Sequence, residues 1–196
     1  MRTITSILFL AACGTHAGPA PAPHPSDLAG HWVSDCTPSP QADGSTKYVT
    51  LDFHNTSARW QLAYALFGDR ACTARLVTVG IAGSYELGGA ASVPGAREAV
   101  FRFDRKTITP AIQPLADALN GMPGCGGGFA VGAARDVYEH GCPGFGQYPR
   151  AACQADYDLV SRHDGELRFG KRPADNNMCS ADRRPTELSD LVLHLR

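Results

Sequence analysis

The sequence lacks the long apolar runs and the charge imbalance that define several large classes of protein. No apolar stretch reaches the ~20 residues that an α-helix needs to cross a bilayer. The 18 Lys and Arg residues nearly balance the 19 Asp and Glu residues, which leaves a net charge of −1. This balance argues against a nucleic-acid-binding surface and against a charged tail.

The sequence also lacks the short motifs that identify many enzymes. Gly83-Ser84 is followed by Tyr85, so the Gly-x-Ser-x-Gly pattern of many hydrolases is absent. His-Glu-x-x-His, the P-loop and Gly-x-Gly-x-x-Gly are missing as well. The glycine-rich run from Gly124 to Gly128 has no Lys-Ser/Thr after it, as phosphate binding would require.

The candidate acid–base residues have a simpler explanation than catalysis. Asp156, Asp158 and Asp164 lie near a predicted hairpin, where a solvated outer face accounts for them. We therefore expect no enzyme activity, no cofactor and no bound metal.

The first thirteen residues have the features of an export signal. The positive start at Met1-Arg2 precedes a short apolar stretch from Ile4 to Leu10. The next residues, Leu10-Ala-Ala-Cys13, resemble the lipobox of bacterial lipoproteins. That resemblance implies cleavage before Cys13 and acylation of its thiol, and Gly14 implies sorting to the outer membrane. The alternative is an ordinary secretory signal with a stray cysteine.

These features divide the chain into three parts. Residues 1–12 are predicted to be a lipoprotein signal peptide, and residues 13–26 a lipidated tether in which Pro and Ala alternate. Residues 27–196 suffice for one domain with its own core. The 21 Gly and 14 Pro residues favour short elements joined by many turns. The expected location is the cell envelope, with the membrane contacted through the lipid on Cys13.

Without Cys13, the seven cysteines become an even set of six, which is typical of an exported domain with disulfides. Six cysteines allow fifteen pairings, and spacing alone does not choose among them. We favour Cys36–Cys72, Cys125–Cys142 and Cys153–Cys179, because sequence neighbours close the shortest loops. The competing interpretation is a zinc site at His140 and Cys142, although no Cys-x-x-Cys pair accompanies them.

Much of the domain alternates apolar and polar residues with a period of two, the pattern of antiparallel strands with one buried face. The alternating segments are Tyr48–Phe53, Arg59–Leu66, Arg75–Ile81 and Glu98–Asp104. Tyr157–Arg162 and Glu166–Phe169 flank an Asp-Gly dipeptide and predict a hairpin, and Leu191–Leu195 predicts a last strand. Thr109–Gly121 instead predicts one short helix. Residues 131–140 fit either a helical turn or a strand.

Sequential strands with tight turns predict a meander that is closed, or nearly closed, into a barrel. The buried faces would then meet in one interior that is rich in aromatic residues, including Trp32 and Phe53. A small barrel either fills such an interior with side chains or keeps a cavity for a ligand.

Two resemblances to known families follow from these positions. Leu28-Ala-Gly30-His-Trp32 resembles the first strand of lipocalins, whose Gly-x-Trp closes the barrel floor. A longer series of segments resembles, in the same order, the adenomatosis polyposis coli down-regulated (APCDD) domain. The segments are Gly30–Cys36, Trp60–Cys72, Gly83–Gly88, Val93–Glu98 and Thr107–Pro110. The stretch from Gly144 to Asp175 resembles bacterial members of the same group.

These resemblances imply a mainly β fold: an antiparallel lipocalin-like barrel or half-barrel with one or two short helices and disulfides. They also imply an apolar pocket suited to a fatty-acyl chain. Animal APCDD proteins inhibit Wnt signalling at the cell surface and carry two such domains and a membrane-spanning helix. This chain has one domain and a bacterial type of lipid signal, so the Wnt-binding role is not expected to transfer.

The sequence thus predicts an exported lipoprotein that binds an apolar lipid or fatty-acyl ligand in a β-barrel. The residues expected to form the pocket wall are Trp60, Tyr64, Phe101 and Phe103. We expect no nucleic-acid partner, and the sequence identifies no protein partner. The alternative is an envelope structural or interaction protein with a packed barrel, and an unrecognised hydrolase is the third possibility.

Overall fold

The computed structural model describes residues 28–41 and 43–196. The predicted signal peptide, Cys13 and the Pro/Ala tether therefore lie outside the described residues. Within the described part of the chain, none of the helices combines the length and the apolar character that crossing a bilayer demands.

The described residues form one α-helix and eleven β-strands, which all pair in antiparallel fashion. The helix is α1 (Gln113–Gly121). The strands are β1 (Gly30–Ser34), β2 (Thr37–Pro40), β3 (Thr46–Asn55), β4 (Arg59–Phe67), β5 (Arg75–Ala90), β6 (Arg97–Arg102), β7 (Arg105–Pro110), β8 (Arg135–Asp136), β9 (Ala155–His163), β10 (Glu166–Phe169) and β11 (Leu193–Leu195). Each segment that alternates with a period of two is a strand, as predicted.

Eight of these strands close into a barrel. The ring runs β1-β3-β4-β5-β6-β9-β10-β11, and β11 pairs back onto β1. This closure confirms the predicted mainly β, lipocalin-like barrel. At one end, β2 continues the sheet from β3, while β7 and β8 continue it from β5. That end of the barrel is therefore split, with β2 and β8 as its two edges.

Strands β6 and β7 form one line of chain that a β-bulge interrupts. Both pair with β5, but Tyr85 pairs with Phe101 whereas Ala82 pairs with Arg105. An advance of three residues along β5, from 82 to 85, is thus matched by an advance of four residues along β6 and β7, from 101 to 105. The one extra residue reverses which side chains point inward from that place onward.

Glycine 83 gives the bulge the space that it needs. A Cβ atom on Gly83 would lie 1.8 Å from the carbonyl oxygen of Arg102, which belongs to the backbone of the bulge. No side chain can be accommodated at that distance, so the close approach of the two strands requires glycine here.

The closed end of the barrel is filled by buried side chains. Trp32 is fully buried there, and its indole Nε1 donates a hydrogen bond to the Leu28 carbonyl at 3.0 Å. The Arg162 guanidinium lies 5.1 Å from the centre of the Trp32 ring. Gly30 has φ +140°, and a Cβ there would lie 2.6 Å from Leu195. This arrangement matches the floor that the lipocalin resemblance implies.

The split end is covered by α1 and the glycine-rich segment that follows it. The predicted helix is present, but β7 continues through Pro110, so the helix begins only at Gln113. Its buried Leu119 packs in a second apolar cluster with Val77 and Ile108 of the barrel strands. Residues 131–140 contain the short strand β8.

The predicted hairpin joins β9 to β10. Asp164 and Gly165 form its turn with φ angles of 50° and 80°, the left-handed values that a two-residue hairpin turn needs. The last strand is shorter than predicted, because β11 begins at Leu193.

Candidate functional site: a barrel cavity with a charged wall

A cavity of about 1070 Å³ occupies the interior of the barrel toward its split end. Inward side chains of β3, β4, β5 and β6 line one side of it. The rest of the lining comes from β2, residues 145–148, β9 and the segments 169–176 and 189–193. All four residues predicted for a pocket wall line this cavity: Trp60, Tyr64, Phe101 and Phe103. The structure therefore brings the predicted residues together around one cavity.

Two hydrogen bonds hold Trp60 in place within the aromatic wall, the name we give to Trp60, Tyr64, Phe101 and Phe103. Its indole Nε1 donates to the carbonyl oxygens of Ser84 and Arg102, each at 3.1 Å, and so ties β4 to β5 and to the end of β6 at the bulge. The ring meets Phe101 edge to face, with centroids 5.1 Å apart and an interplanar angle of 71°. Such pairs add to the stability of an apolar cluster beyond the area that they bury.

Several inward-facing apolar side chains remain only half-buried although they lie inside the barrel. They are Leu51, Leu62, Tyr64, Leu66 and Ile81. Neighbours of the same strands that reach the closed end, such as Phe53 and Trp60, are buried. The difference arises because the cavity in front of the first group is not filled by protein atoms.

One side of the cavity carries charged residues, which we call the charged wall: Lys106, Asp156, Asp158 and Arg172. The Arg172 guanidinium donates to Asp156 Oδ2 at 2.7 Å. Asp158 Oδ1 accepts hydrogen bonds from the backbone N–H groups of Leu159 at 2.7 Å and Gly170 at 2.9 Å.

The prediction that Asp156 and Asp158 lie on a solvated outer face is therefore wrong. Both are buried and point into the barrel, opposite Phe101 and Ala99 of β6. The outer face of β9 is covered instead by the chain that returns after β10: the Arg184 guanidinium lies 5.8 Å from the centre of the Tyr157 ring, and the outward Leu159 is buried. Asp164, in the hairpin turn, is exposed as predicted.

Burial changes the proton affinity of two members of the charged wall. Loss of hydration raises the pKa of the Asp158 carboxyl from 3.8 to about 7, with Arg172 acting in the opposite direction. Loss of hydration also lowers the pKa of the Lys106 ammonium from 10.5 to about 8. Both groups thus change charge close to neutral pH.

Lys106 was missed by the sequence reasoning because of the bulge. Simple alternation after Phe101 and Phe103 directs residue 106 outward, and the extra residue of the bulge turns it inward. The available signal was the alternation of Lys106, Ile108 and Pro110, which are all buried on one face of β7.

The six cysteines of the domain form the three pairs that sequence proximity favoured. They are Cys36–Cys72, Cys125–Cys142 and Cys153–Cys179. Cys125–Cys142 ties the glycine-rich segment down on itself, so Cys142 is not available for the competing zinc site. Cys153 lines the cavity beside the charged wall.

A separate polar cluster lies on the outside of the barrel. His31 and His54 face each other across β1 and β3, with ring centroids 3.9 Å apart. The Nε2 atoms of both rings lie close to Asp52 Oδ1, at 3.0 and 3.1 Å. Two imidazoles and one carboxylate can hold a metal ion such as zinc, with water in the remaining position.

Comparison with known proteins adds no assignment to this geometry. No protein-family model matches the chain, and no curated protein matches it.

Proposed function

We propose that this protein binds one elongated apolar ligand, a lipid or a fatty-acyl chain, in the barrel cavity. The observation that carries the proposal is the set of half-buried apolar side chains inside the barrel. A barrel that serves only as a scaffold gains stability when such space is filled, because interiors pack at the density of organic crystals. An acyl chain would fill the space and cover the exposed faces of Leu51, Leu62 and Ile81.

The strength of such binding follows from the area that it removes from water. Each buried methylene contributes about 0.8 kcal/mol, which corresponds to about a fourfold gain in affinity. Affinity should therefore rise with chain length until the cavity is full, and then level off.

Linear alcohols of increasing length test this expectation without the complication of charge. The full chain carrying Cys13→Ser, with its disulfides formed and in detergent-free buffer, is titrated calorimetrically with each alcohol. A rise of about fourfold per methylene supports the proposal. If no alcohol binds at any length, the packed-scaffold alternative is favoured instead.

A pair of variants on neighbouring positions of β4 locates the binding. Leu62 faces the cavity, whereas Gln61 faces solvent on the other side of the same strand. We expect Leu62→Trp to occupy the cavity and abolish binding, and Gln61→Trp to leave it unchanged. Equal effects of the two variants would place the ligand elsewhere.

The location proposed for this activity is the cell envelope, with the domain anchored through an acylated Cys13. The lipobox-like tetrad at residues 10–13 supports it. The intact mass of the membrane-extracted protein should show the loss of residues 1–12 and the added acyl groups. Cys13→Ser should abolish that modification and shift the protein out of the lipid-anchored fraction.

The resemblance to APCDD domains supports a barrel with an acyl-binding pocket. A Wnt-binding role is not proposed, because the lipobox-like tetrad is a bacterial feature.

A further inference from the structure

The most unusual residue of the cavity is Lys106, because it is a buried cation with few partners. The residue is 3% exposed, and within the described part of the chain the only hydrogen bond from its Nζ is a long one, at 3.4 Å, to the Tyr148 carbonyl. The ammonium lies 3.9 Å above the ring centre of Phe103 and 6.0 Å from that of Tyr138. Among the described residues, no carboxylate lies within 4.0 Å of it.

An ammonium group has three N–H donors, and a buried donor without a partner is unfavourable. The ring faces of Phe103 and Tyr138 partly stabilise the charge but accept no strong hydrogen bond. Lys106 therefore has donors left for an acceptor that the cavity itself does not provide.

The other charges of the wall are already matched. Arg172, whose side chain is 43% exposed, is paired with Asp156. The Asp158 carboxyl accepts from two backbone N–H groups, and with a pKa of about 7 it is largely uncharged below neutral pH. Lys171, at the edge of the cavity, is paired with Glu187 at 2.9 Å. Within the charged wall, Lys106 and Arg172 against Asp156 leave one net positive charge under those conditions. The exposed carboxylate of Asp190 also lines the cavity, where it acts on Lys171.

From this placement we propose that the ligand is a single-chain amphiphile with one ionised carboxylate, which pairs with Lys106 while its tail lies along the aromatic wall. The inference rests on the proposed function and narrows its ligand class. One unmatched cation suits a head with one negative charge. A head with two negative charges would place its second charge against Asp156.

The matched pair of dodecanoate and dodecanol tests the inference, since the two ligands share one chain length and differ in the head group. The full chain with Cys13→Ser should bind dodecanoate at least about tenfold more tightly than dodecanol at pH 6, as a charge-assisted hydrogen bond in a buried site implies. Equal affinities would overturn the inference but leave the proposed function intact. Binding of neither ligand would overturn the proposed function itself.

Two lysine variants show which residue holds the carboxylate. Lys106→Met should remove the preference for dodecanoate and keep dodecanol binding within about twofold, which also shows that the variant is folded. Lys47→Met, at a lysine that does not line the cavity, should change neither affinity. A preference for dodecanoate that survives in Lys106→Met would refute the assignment.

The pH dependence gives a second, independent readout. The charged groups that act on Lys106 are Asp156 of β9 and Arg172, and the Tyr138 ring lies 6.0 Å from its ammonium. Asp158 and Tyr148 line the same cavity. Between pH 6 and pH 9, Asp158 ionises and Lys106 loses its proton, so the wall changes from one net positive to one net negative charge. Dodecanoate should weaken by about tenfold or more over this range while dodecanol does not. Asp158→Asn should reduce that loss, and a pH-independent affinity for dodecanoate would refute the mechanism.

Discussion

Replacement of Asp158 by Asn tests whether the charged wall is held at a cost in stability. In the folded protein, burial raises the pKa of this carboxyl from 3.8 to about 7. Between these pH values the folded state keeps a proton that the unfolded state has released. The free energy of unfolding therefore falls as pH rises through this interval and stays low above it.

The magnitude follows from the size of the interval. A shift from 3.8 to about 7 corresponds to about 4 kcal/mol of lost stability above pH 7, at about 1.4 kcal/mol per pH unit. Asparagine has nearly the same shape, stays neutral, and its side-chain oxygen can accept the same hydrogen bonds from the Leu159 and Gly170 N–H groups. Asp158→Asn should therefore stabilise the protein by up to about 4 kcal/mol at pH 8 and have little effect near pH 4.

Urea unfolding with intact disulfides, followed at several values between pH 4 and pH 8, measures this difference directly. The matched control is Asp164→Asn, which makes the same change in the exposed hairpin turn, where the side chain is 85% exposed. The control should show no comparable dependence on pH. If Asp158→Asn is no more stable than the wild type at pH 8, or if its effect does not vary with pH, the buried carboxyl does not have the role assigned to it.

Three further changes test the contacts that hold the barrel strands and loops around the cavity. Gly83→Ala places a methyl group 1.8 Å from the Arg102 carbonyl and should destabilise the fold by about 3 kcal/mol or more in urea, whereas Gly89→Ala, in open space on the same strand, should not. Trp60→Phe removes the indole donor from two carbonyls and should cost about 1–3 kcal/mol by the same assay. Removal of the Cys153–Cys179 bond by a double Ala variant opens a loop with a sequence separation of 26 and should lower the unfolding free energy by about 3.5 kcal/mol.

The strands could be predicted because their buried faces follow the simplest rule of sheet structure. In β4, the apolar residues Trp60, Leu62, Tyr64 and Leu66 alternate with outward residues, and the interior needs every second position. The hairpin turn was equally direct, since Asp-Gly adopts left-handed backbone angles at little cost.

The charged wall could not be predicted because alternation gives two faces without saying which one is inside. Both faces of β9 are buried. From alternation alone, the polar face that carries Asp156 and Asp158 is assigned to the outside of the sheet. In β7 the bulge before Lys106 reverses the direction of the side chains, and a single extra residue leaves no clear trace in composition. Both errors concern contacts between residues that lie far apart along the chain.

The cavity and the charged wall both lower the stability of the fold, so neither is expected in a barrel that only has to be stable. The unfilled space forfeits contacts that a larger side chain in place of Leu62 or Ile81 would make. Asp158 and Lys106 each lose hydration, and replacing buried charges by apolar groups of similar volume often stabilises a protein. The two features also lie against one another, with Phe103 contacting both the apolar space and the Lys106 ammonium. Since an amphiphilic ligand would fill the first and match the second, ligand binding accounts for both costs, whereas a packed scaffold accounts for neither.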